Sequence, residues 1–339
     1  MSDLFSLPLL AYAQPIYIVW AALLIEKLVP ISSSVDPLLF FKFLCQRMAT
    51  KVLHPRYSSR QLTTSGSLAL LVLVLPLLII FYFVYQFASY QWLLDLLLLW
   101  ILLQFTHRKK TVYKGISALQ DGKNKLAKDL IQQEVLRNTQ SLSSLGLAKA
   151  SLESIFLRYH HQQFTTIICY LLLGPIAALC YRLCYEANQV WNIKLSKFHY
   201  FGQLTNKVTQ LFQIVPSVIM SFSFVFLSSP RDLISHCKQK QLLPELKQAL
   251  CLKGNLGLLL QTLSSAVNIN TGGPVMYNNE KVQRTRYTFD IKVIDDANET
   301  ARSKEPTNDS VKTLISLVNR HLIVSLLVIT WILFWYFLD

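Results

Sequence analysis

A polar loop near residue 270 carries the residue types that could bind an anion. It contains Gly272-Gly273-Pro274, followed by an aromatic side chain and by the cations Arg284 and Arg286. Two adjacent glycines and a proline exclude a regular helix, because glycine leaves the backbone too free and proline breaks the hydrogen-bond ladder. The guanidinium groups could hold phosphate or anionic lipid headgroups. A pair of turns that binds no ligand is the alternative left open by this pattern.

The composition is that of a polytopic membrane protein. Of 339 residues, 52% are hydrophobic and 15% charged, and the mean hydropathy is +0.35. No cleavable signal pattern stands at the start, so we expect the first apolar segment to remain as an anchor. We interpret the net charge of +14 as a topology signal rather than as nucleic-acid binding. The six cysteines form no Cys-x-x-Cys pair, which favours packing roles over disulfides or a metal site.

Apolar segments predict an all-α fold with five or six transmembrane helices. The third segment contains Asp95, which must face protein because a carboxylate is costly in hydrocarbon. The fourth contains Gly174-Pro175, and the choice between a kinked span and a re-entrant segment leaves the count open. The predicted segments are residues 9–29, 67–85, 92–105, 164–185, 208–226 and 322–338.

Two polar regions lie between these segments, and we place both in the cytoplasm. Residues 107–163 hold ten Lys and Arg against four acids, and cytoplasmic loops carry such a surplus. Asp121-Gly122 is predicted to separate two helices there. The predicted organisation is a three-span membrane region (1–106), a cytoplasmic helical region (107–163), two further apolar segments (164–228), a cytoplasmic region with the Gly-Gly-Pro loop and a flexible linker (229–320), and a C-terminal span (321–339).

Several motifs resemble those of the CobD/CbiB family of membrane proteins. The stretch Gly-Gly-Pro-Val-Met-Tyr-Asn-Asn-Glu-Lys-Val-Gln-Arg, which ends at Arg284, is similar to the family's C-terminal signature. Upstream, Val-Leu-Arg137-Asn-Thr139 resembles a Val-Gly-Arg-Asp-Thr element. Gly-Asn255-Leu-Gly257 resembles Ser-Pro-Asn-x-Gly, and the segment from Gly174-Pro175 to Tyr181-Arg182 resembles a Gly-x-Pro-Gly-Ala-Leu-x-Tyr-Arg element.

The resemblance implies an enzyme of cobalamin biosynthesis in the bacterial inner membrane, with corrinoid-pathway membrane enzymes as partners. The family joins a propionate carboxyl of adenosylcobyric acid to aminopropanol or its phosphate, using ATP and Mg²⁺. Carried over by position, the expected catalytic residues are Glu153, Arg137 and Thr139. The expected substrate-binding residues are Arg182, Asn255, Gly257, Gly272, Gly273, Tyr277 and Arg284, and the metal ligands stay open. From residue type alone, Glu153 could instead be a solvated acid and Arg182 could snorkel.

The chain departs from the family pattern at several acids. The aspartate of Arg-Asp-Thr is Asn138, an Ala-Glu-Asn triplet is Phe156-Leu157-Arg158, and an Asp-Asp pair is Thr209-Gln210. Replacing several carboxylates together removes the charge that attracts a divalent cation. The alternative is therefore a catalytically degenerate scaffold, or a sensor similar to AmpE, a distant relative. The retained Gly-Gly-Pro loop favours the corrinoid branch.

Overall fold

A computed structural model of the chain describes residues 8–31, 36–54, 57–135, 137–228, 234, 236–237, 242–277, 280–287 and 305–336. The described part is mainly helical. Its α-helices are α1 (Pro8–Leu28), α2 (Pro37–Val52), α3 (Ser59–Phe87), α4 (Gln91–Leu102), α5 (Phe105–Gln120), α6 (Asn124–Gln132), α7 (Ser144–Arg158), α8 (Thr165–Leu173), α9 (Pro175–Val190), α10 (Gln203–Ser228), α11 (Leu242–Leu250), α12 (Leu256–Val267) and α13 (Asn308–Tyr336).

The chain forms two compact units. The first comprises Met1–Thr106, His161–Gln213 and Ser325–Asp339, and the second comprises His107–His160 and Ile214–Val324. A π-helical stretch, Tyr159–Phe164, connects α7 to α8, and a 3₁₀ turn, Ser196–Phe198, follows α9.

Three described helices are long and apolar enough to cross a membrane. They are α3, α10 and residues Asn308–Ile332 of α13. The protein is therefore a helical membrane protein, as predicted. The third predicted segment is helical over only the 12 residues of α4, about 18 Å at 1.5 Å per residue, against a hydrocarbon core of roughly 30 Å. The total of five or six spans stays a prediction.

The fourth predicted segment doubles back at Gly174. Gly174 has φ +85° and ψ −178°, a conformation that ends α8, and Pro175 begins α9. The Tyr181 hydroxyl donates to the carbonyl of His161 at 2.6 Å, although the two residues are 20 positions apart. A continuous helix would separate them by about 30 Å. The segment is thus a helical hairpin, the geometry that the re-entrant alternative requires, and not a kinked helix.

The first unit packs α2, α3 and α9 around a shared apolar core. Asp36 starts α2 by accepting a hydrogen bond from the amide of Leu38 at 2.8 Å, with Pro37 in the first turn. The indole of buried Trp191 donates to the carbonyl of Cys45 at 3.1 Å. On α4, Asp95 is buried and accepts from the Tyr170 hydroxyl at 3.0 Å, which confirms that it faces protein.

The second unit contains the polar helices and the loop. Asp121 and Gly122 separate α5 from α6, and Gly122 has φ +77°. The described loop residues form four short strands: β1 (Thr271–Gly272), β2 (Val275–Tyr277), β3 (Glu280–Val282) and β4 (Arg286–Tyr287). Strand β1 pairs antiparallel with β4, and β2 with β3. The prediction that this stretch is not helical is therefore confirmed.

The contact between Gly66 on α3 and the backbone of Phe201 gives a test of the helix packing in the first unit. A Cβ at Gly66 would lie 2.0 Å from the Phe201 carbonyl oxygen, whereas a Cβ at Gly146 on α7 would meet neighbours no closer than 3.4 Å. We expect Gly66→Ala to destabilise the protein by about 1–3 kcal/mol through overpacking. Gly146→Ala should be neutral or stabilising by up to about 1 kcal/mol, because alanine favours a helix. Thermal unfolding in detergent compares the two, and equal melting temperatures would contradict the close approach of α3 to Phe201.

Candidate functional site

A buried carboxylate on α7, in the second unit, binds donors from three other positions of the chain. Only 2% of Glu153 is exposed. Its Oε2 accepts from the Nη2 atoms of Arg137, at 2.5 Å, and Arg284, at 3.0 Å, while its Oε1 accepts from the amide of Gly272 at 3.1 Å. We call Glu153, Arg137, Arg284 and Gly272 the Glu153 cluster. The alternative of a solvated acid is therefore wrong, because this face of α7 is turned inward.

Strand pairing places the Gly272 amide against Glu153. Gly272 lies opposite Arg286 in the β1–β4 pair, and it has φ +72°. A Cβ there would lie 2.2 Å from the carbonyl oxygen of Thr285. Gly273, at φ +84°, donates its amide to the same carbonyl at 3.0 Å. Both the left-handed backbone and the close approach require glycine at position 272.

Hydrogen bonds to the Gly-Gly turn and to Glu153 hold the side chain of Arg284 in place. Its Nε donates to the carbonyl of Gly273 at 3.2 Å, while its Nη2 reaches Glu153. The guanidinium thus bridges the backbone of the Gly-Gly turn and the carboxylate of α7. A rigid fork of donors suits this task better than a lysine ammonium.

The segment between α6 and α7 positions Arg137. The carbonyl of Arg137 accepts from Nε2 of Gln132 at 3.2 Å, and the amide of Thr139 donates to Oε1 of the same Gln132 at 2.8 Å. The Thr139 hydroxyl donates to the carbonyl of Lys128 at 2.9 Å. Thr139 therefore anchors this segment to α6, and none of its described hydrogen bonds reaches Glu153.

Positive charge exceeds negative charge around the cluster. Lys149 lies one helical turn before Glu153, and its Nζ is 3.9 Å from the position that a Cβ of Gly273 would take. Burial lowers the pKa of Lys149, Glu153 opposes that effect, and Arg286, Arg284 and Arg137 lower it further. No described residue forms a hydrogen bond or ion pair with the Lys149 ammonium. Four cations around one carboxylate create a local potential that favours an anionic ligand.

Asn255, the residue before α12, and Gly257, the second residue of α12, have structural partners. The Asn255 amide donates to the Ser217 hydroxyl at 2.9 Å, and that hydroxyl is 3.1 Å from Nε2 of His160. A Cβ at Gly257 would lie 1.7 Å from Oε2 of Glu245. Gly257 thus makes room for a buried carboxylate, and Asn255 ties the start of α12 to α10.

Two expected site residues, Arg182 and Tyr277, do not belong to the Glu153 cluster as defined above. Arg182 belongs to the first unit, where it is fully buried and its Nη2 is 2.8 Å from Oε1 of Glu186. Glu186 also pairs with Lys42 at 2.8 Å. Snorkelling of Arg182 is therefore wrong, since its guanidinium has a buried carboxylate as partner. The backbone of Tyr277 lies in β2, and its side chain is outside the described residues.

Sequence reasoning missed Lys149 and the buried pair of Glu245 and Tyr287. The spacing of Lys149, four residues before Glu153, could have indicated that both share one helix face. Glu245 and Tyr287 lie 42 residues apart, and no local pattern links them.

The fold and the site define a helical membrane protein with a cationic site around a buried glutamate. The family model described as CobD/Cbib protein matches residues 19–303. The chain belongs to this family.

Three curated relatives are each named cobalamin biosynthesis protein CobD. The protein from Chromobacterium violaceum is 21% identical over 203 residues, which are 60% of this chain and 59% of the relative. The protein from Stutzerimonas stutzeri is 22% identical over 76% of this chain and 82% of the relative. The protein from Streptococcus sanguinis is 22% identical over 64% of each chain. The matches with the first and third relatives thus span about three fifths of those proteins. No solved structure matches the chain significantly.

A pair of glycine substitutions tests the geometry of the cluster. Gly272 and Gly122 both have positive φ, but a Cβ at Gly122 would meet nothing within 4 Å. We expect Gly122→Ala to cost about 1 kcal/mol of stability from backbone strain alone. Gly272→Ala should cost at least about 2 kcal/mol, since it adds a backbone clash to that strain. Thermal unfolding measures both, and an equal loss in the two variants would show that the close approach at Gly272 is not present.

Proposed function

We propose that this protein acts in cobalamin biosynthesis as an amide-forming membrane enzyme similar to adenosylcobinamide-phosphate synthase. It would join a propionate carboxyl of adenosylcobyric acid to aminopropanol or its phosphate at the cytoplasmic face of the bacterial inner membrane. The observation that carries this proposal is the Glu153 cluster. It is assembled from three separate segments, of which the one with Arg137 and the one from Gly272 to Arg284 each resemble a family motif. It also has the positive charge that carboxylate and phosphate substrates need.

The residues of the cluster divide into two roles. Glu153 is a positioning residue, because both of its oxygens already accept described hydrogen bonds and hold Arg137, Arg284 and Gly272 in place. Lys149 and Arg286 supply the charge that these bonds do not neutralise. They would bind the anionic groups of the reactants and stabilise charge that develops on oxygen as the amide forms.

The cations fit the phosphates of ATP better than the acids fit Mg²⁺. Phosphate oxygens are good partners for lysine and arginine donors. Among the described residues, no group of three or more His, Cys, Asp or Glu side chains is arranged to hold a metal ion. Glu153 is engaged with cations, and Asn138 stands where the family has an aspartate. A protein-held Mg²⁺ therefore does not fit at the cluster, and we derive no step through a metal.

The missing carboxylates support a second candidate, a non-catalytic member of the family. Such a protein would keep the fold and serve as a membrane scaffold for corrinoid-pathway enzymes or as a sensor. In either case the protein would lie in the lipid bilayer, and we do not expect it to bind nucleic acid.

Complementation distinguishes the two candidates. The chain is expressed in a corrinoid auxotroph that lacks its own aminopropanol-attaching enzyme, together with Glu153→Gln and with Asp121→Asn as a control at an exposed turn. We expect growth with the wild type and the control, and loss of growth with Glu153→Gln, because neutralising Glu153 releases two arginines from their positions.

Membrane localisation and thermal unfolding verify that each variant is folded. Growth with Glu153→Gln equal to the wild type would contradict the role of the cluster. Absence of growth with a folded wild type would favour the non-catalytic candidate.

A further inference from the structure

Helices α5 and α13 are joined by two hydrogen bonds within the second unit. Nζ of Lys109 on α5 donates to Oδ1 of Asn319 on α13 at 2.8 Å. Nζ of Lys312 on α13 donates to Oε1 of Gln120 on α5, also at 2.8 Å. Residue numbers rise along α5 where they fall along α13, so these parts of the two helices run antiparallel. The turn of α5 around Lys109 therefore lies at the level of Asn319.

The composition of α13 changes from polar to apolar just after Asn319. Arg320 is exposed, and the chain has no Lys, Arg, Asp or Glu from position 321 to position 338. Ile323 is 50% exposed, as expected of a side chain that faces lipid. The Arg320 guanidinium donates to the carbonyl of Leu227, near the end of α10, which is also long and apolar enough to cross a membrane. Both helices thus reach the membrane surface at this level, where the lipid headgroups lie.

One face of α5 presents two cations and an aromatic ring next to this level. Lys110, Tyr113 and Lys114 are exposed, and they share a helix face because they are three and four residues apart. Val112 and Ile116, on the opposite face, are buried. Among the described residues, none forms a hydrogen bond or an ion pair with the ammonium of Lys110 or of Lys114. Both charges can therefore bind an anion from outside the protein.

The neighbouring cations of α5 have partners inside the protein. Arg108 lies 3.5 Å from the buried carboxylate of Glu134, and Lys109 bonds to Asn319. These contacts hold the inner face of α5 and leave the outer face for a ligand. Each lysine or arginine near an anionic bilayer surface strengthens binding roughly fivefold. Tyrosine is common at the same depth, because its ring is apolar and its hydroxyl is polar.

We propose that the face formed by Lys110, Tyr113 and Lys114, which we call the α5 face, binds the headgroup of an anionic phospholipid of the bilayer. The two ammonium groups donate to the phosphate oxygens, and the acyl chains extend toward the apolar part of α13. The α5 face shares no residue with the Glu153 cluster, so this inference goes beyond the proposed function and does not depend on it. Binding of the lipid holds the second unit, which contains that cluster, against the membrane surface.

Native mass spectrometry of the purified full-length protein in neutral detergent, titrated with phosphatidylglycerol, tests the site. Phosphatidylcholine with the same acyl chains is the comparison lipid, because its choline group cancels the phosphate charge. We expect the wild type to bind phosphatidylglycerol at least about tenfold more tightly than phosphatidylcholine. The double variant Lys110→Gln/Lys114→Gln should lose at least about tenfold in affinity for phosphatidylglycerol. Lys123→Gln/Lys125→Gln is the matched control, since it removes the same charge at exposed positions beyond the other end of α5 and should keep the wild-type affinity.

Three results would overturn the site. They are equal affinity of the wild type for the two lipids, unchanged affinity in a folded Lys110→Gln/Lys114→Gln protein, and an equal loss of affinity in the control. Inorganic phosphate separates a lipid headgroup from a free anion. We expect phosphate at the same concentration to leave phosphatidylglycerol bound, and displacement of the lipid by phosphate would contradict the proposal. Melting temperatures of both double variants establish that the fold is intact.

Discussion

A carboxylate with 2% of its surface exposed requires compensating donors, and Glu153 imposes this requirement on the second unit. Removing an ion from water costs several kcal/mol even after the protein relaxes. Two guanidinium groups and one backbone amide compensate for that cost, and they come from residues 137, 272 and 284. One side chain of α7 thus holds together three parts of the chain: the segment after α6, strand β1 and the residues before β4. Loss of one partner from such a buried arrangement typically costs about 3–5 kcal/mol.

The same requirement explains why the net charge of the side chains around Glu153 is positive and not zero. One carboxylate cannot neutralise Arg137, Arg284, Arg286 and Lys149 together. Burial lowers the pKa of Lys149, and the three arginines lower it further. The first unit contains a different solution. There Glu186 forms ion pairs with both Arg182 and Lys42, so two cations share one buried acid. The excess of positive charge that remains in the second unit is the property that an anionic substrate would use.

The helical membrane fold, the Asp121-Gly122 turn and the non-helical Gly-Gly-Pro loop are predictable from sequence, because composition, hydropathy and turn chemistry are local signals. The family resemblance selects Glu153, Arg137, Arg284 and Gly272, which the structure brings together. The reversal at Gly174 is not predictable, since a Gly-Pro pair is compatible with both a kink and a hairpin. The Glu245–Tyr287 bond and the pairing of Arg182 with Glu186 depend on tertiary packing, so propensity and spacing cannot distinguish the roles of these residues.

The most direct test concerns whether Glu153 holds the loop against α7. Hydrogen–deuterium exchange of the loop amides, measured by mass spectrometry on the wild type and on Glu153→Ala, answers this question. We expect peptides covering residues 271–277 and 280–287 to exchange slowly in the wild type and much faster in Glu153→Ala, while peptides from α3 are unchanged. Loop protection that is the same in both proteins would show that other contacts hold the loop, and would contradict the central role of Glu153.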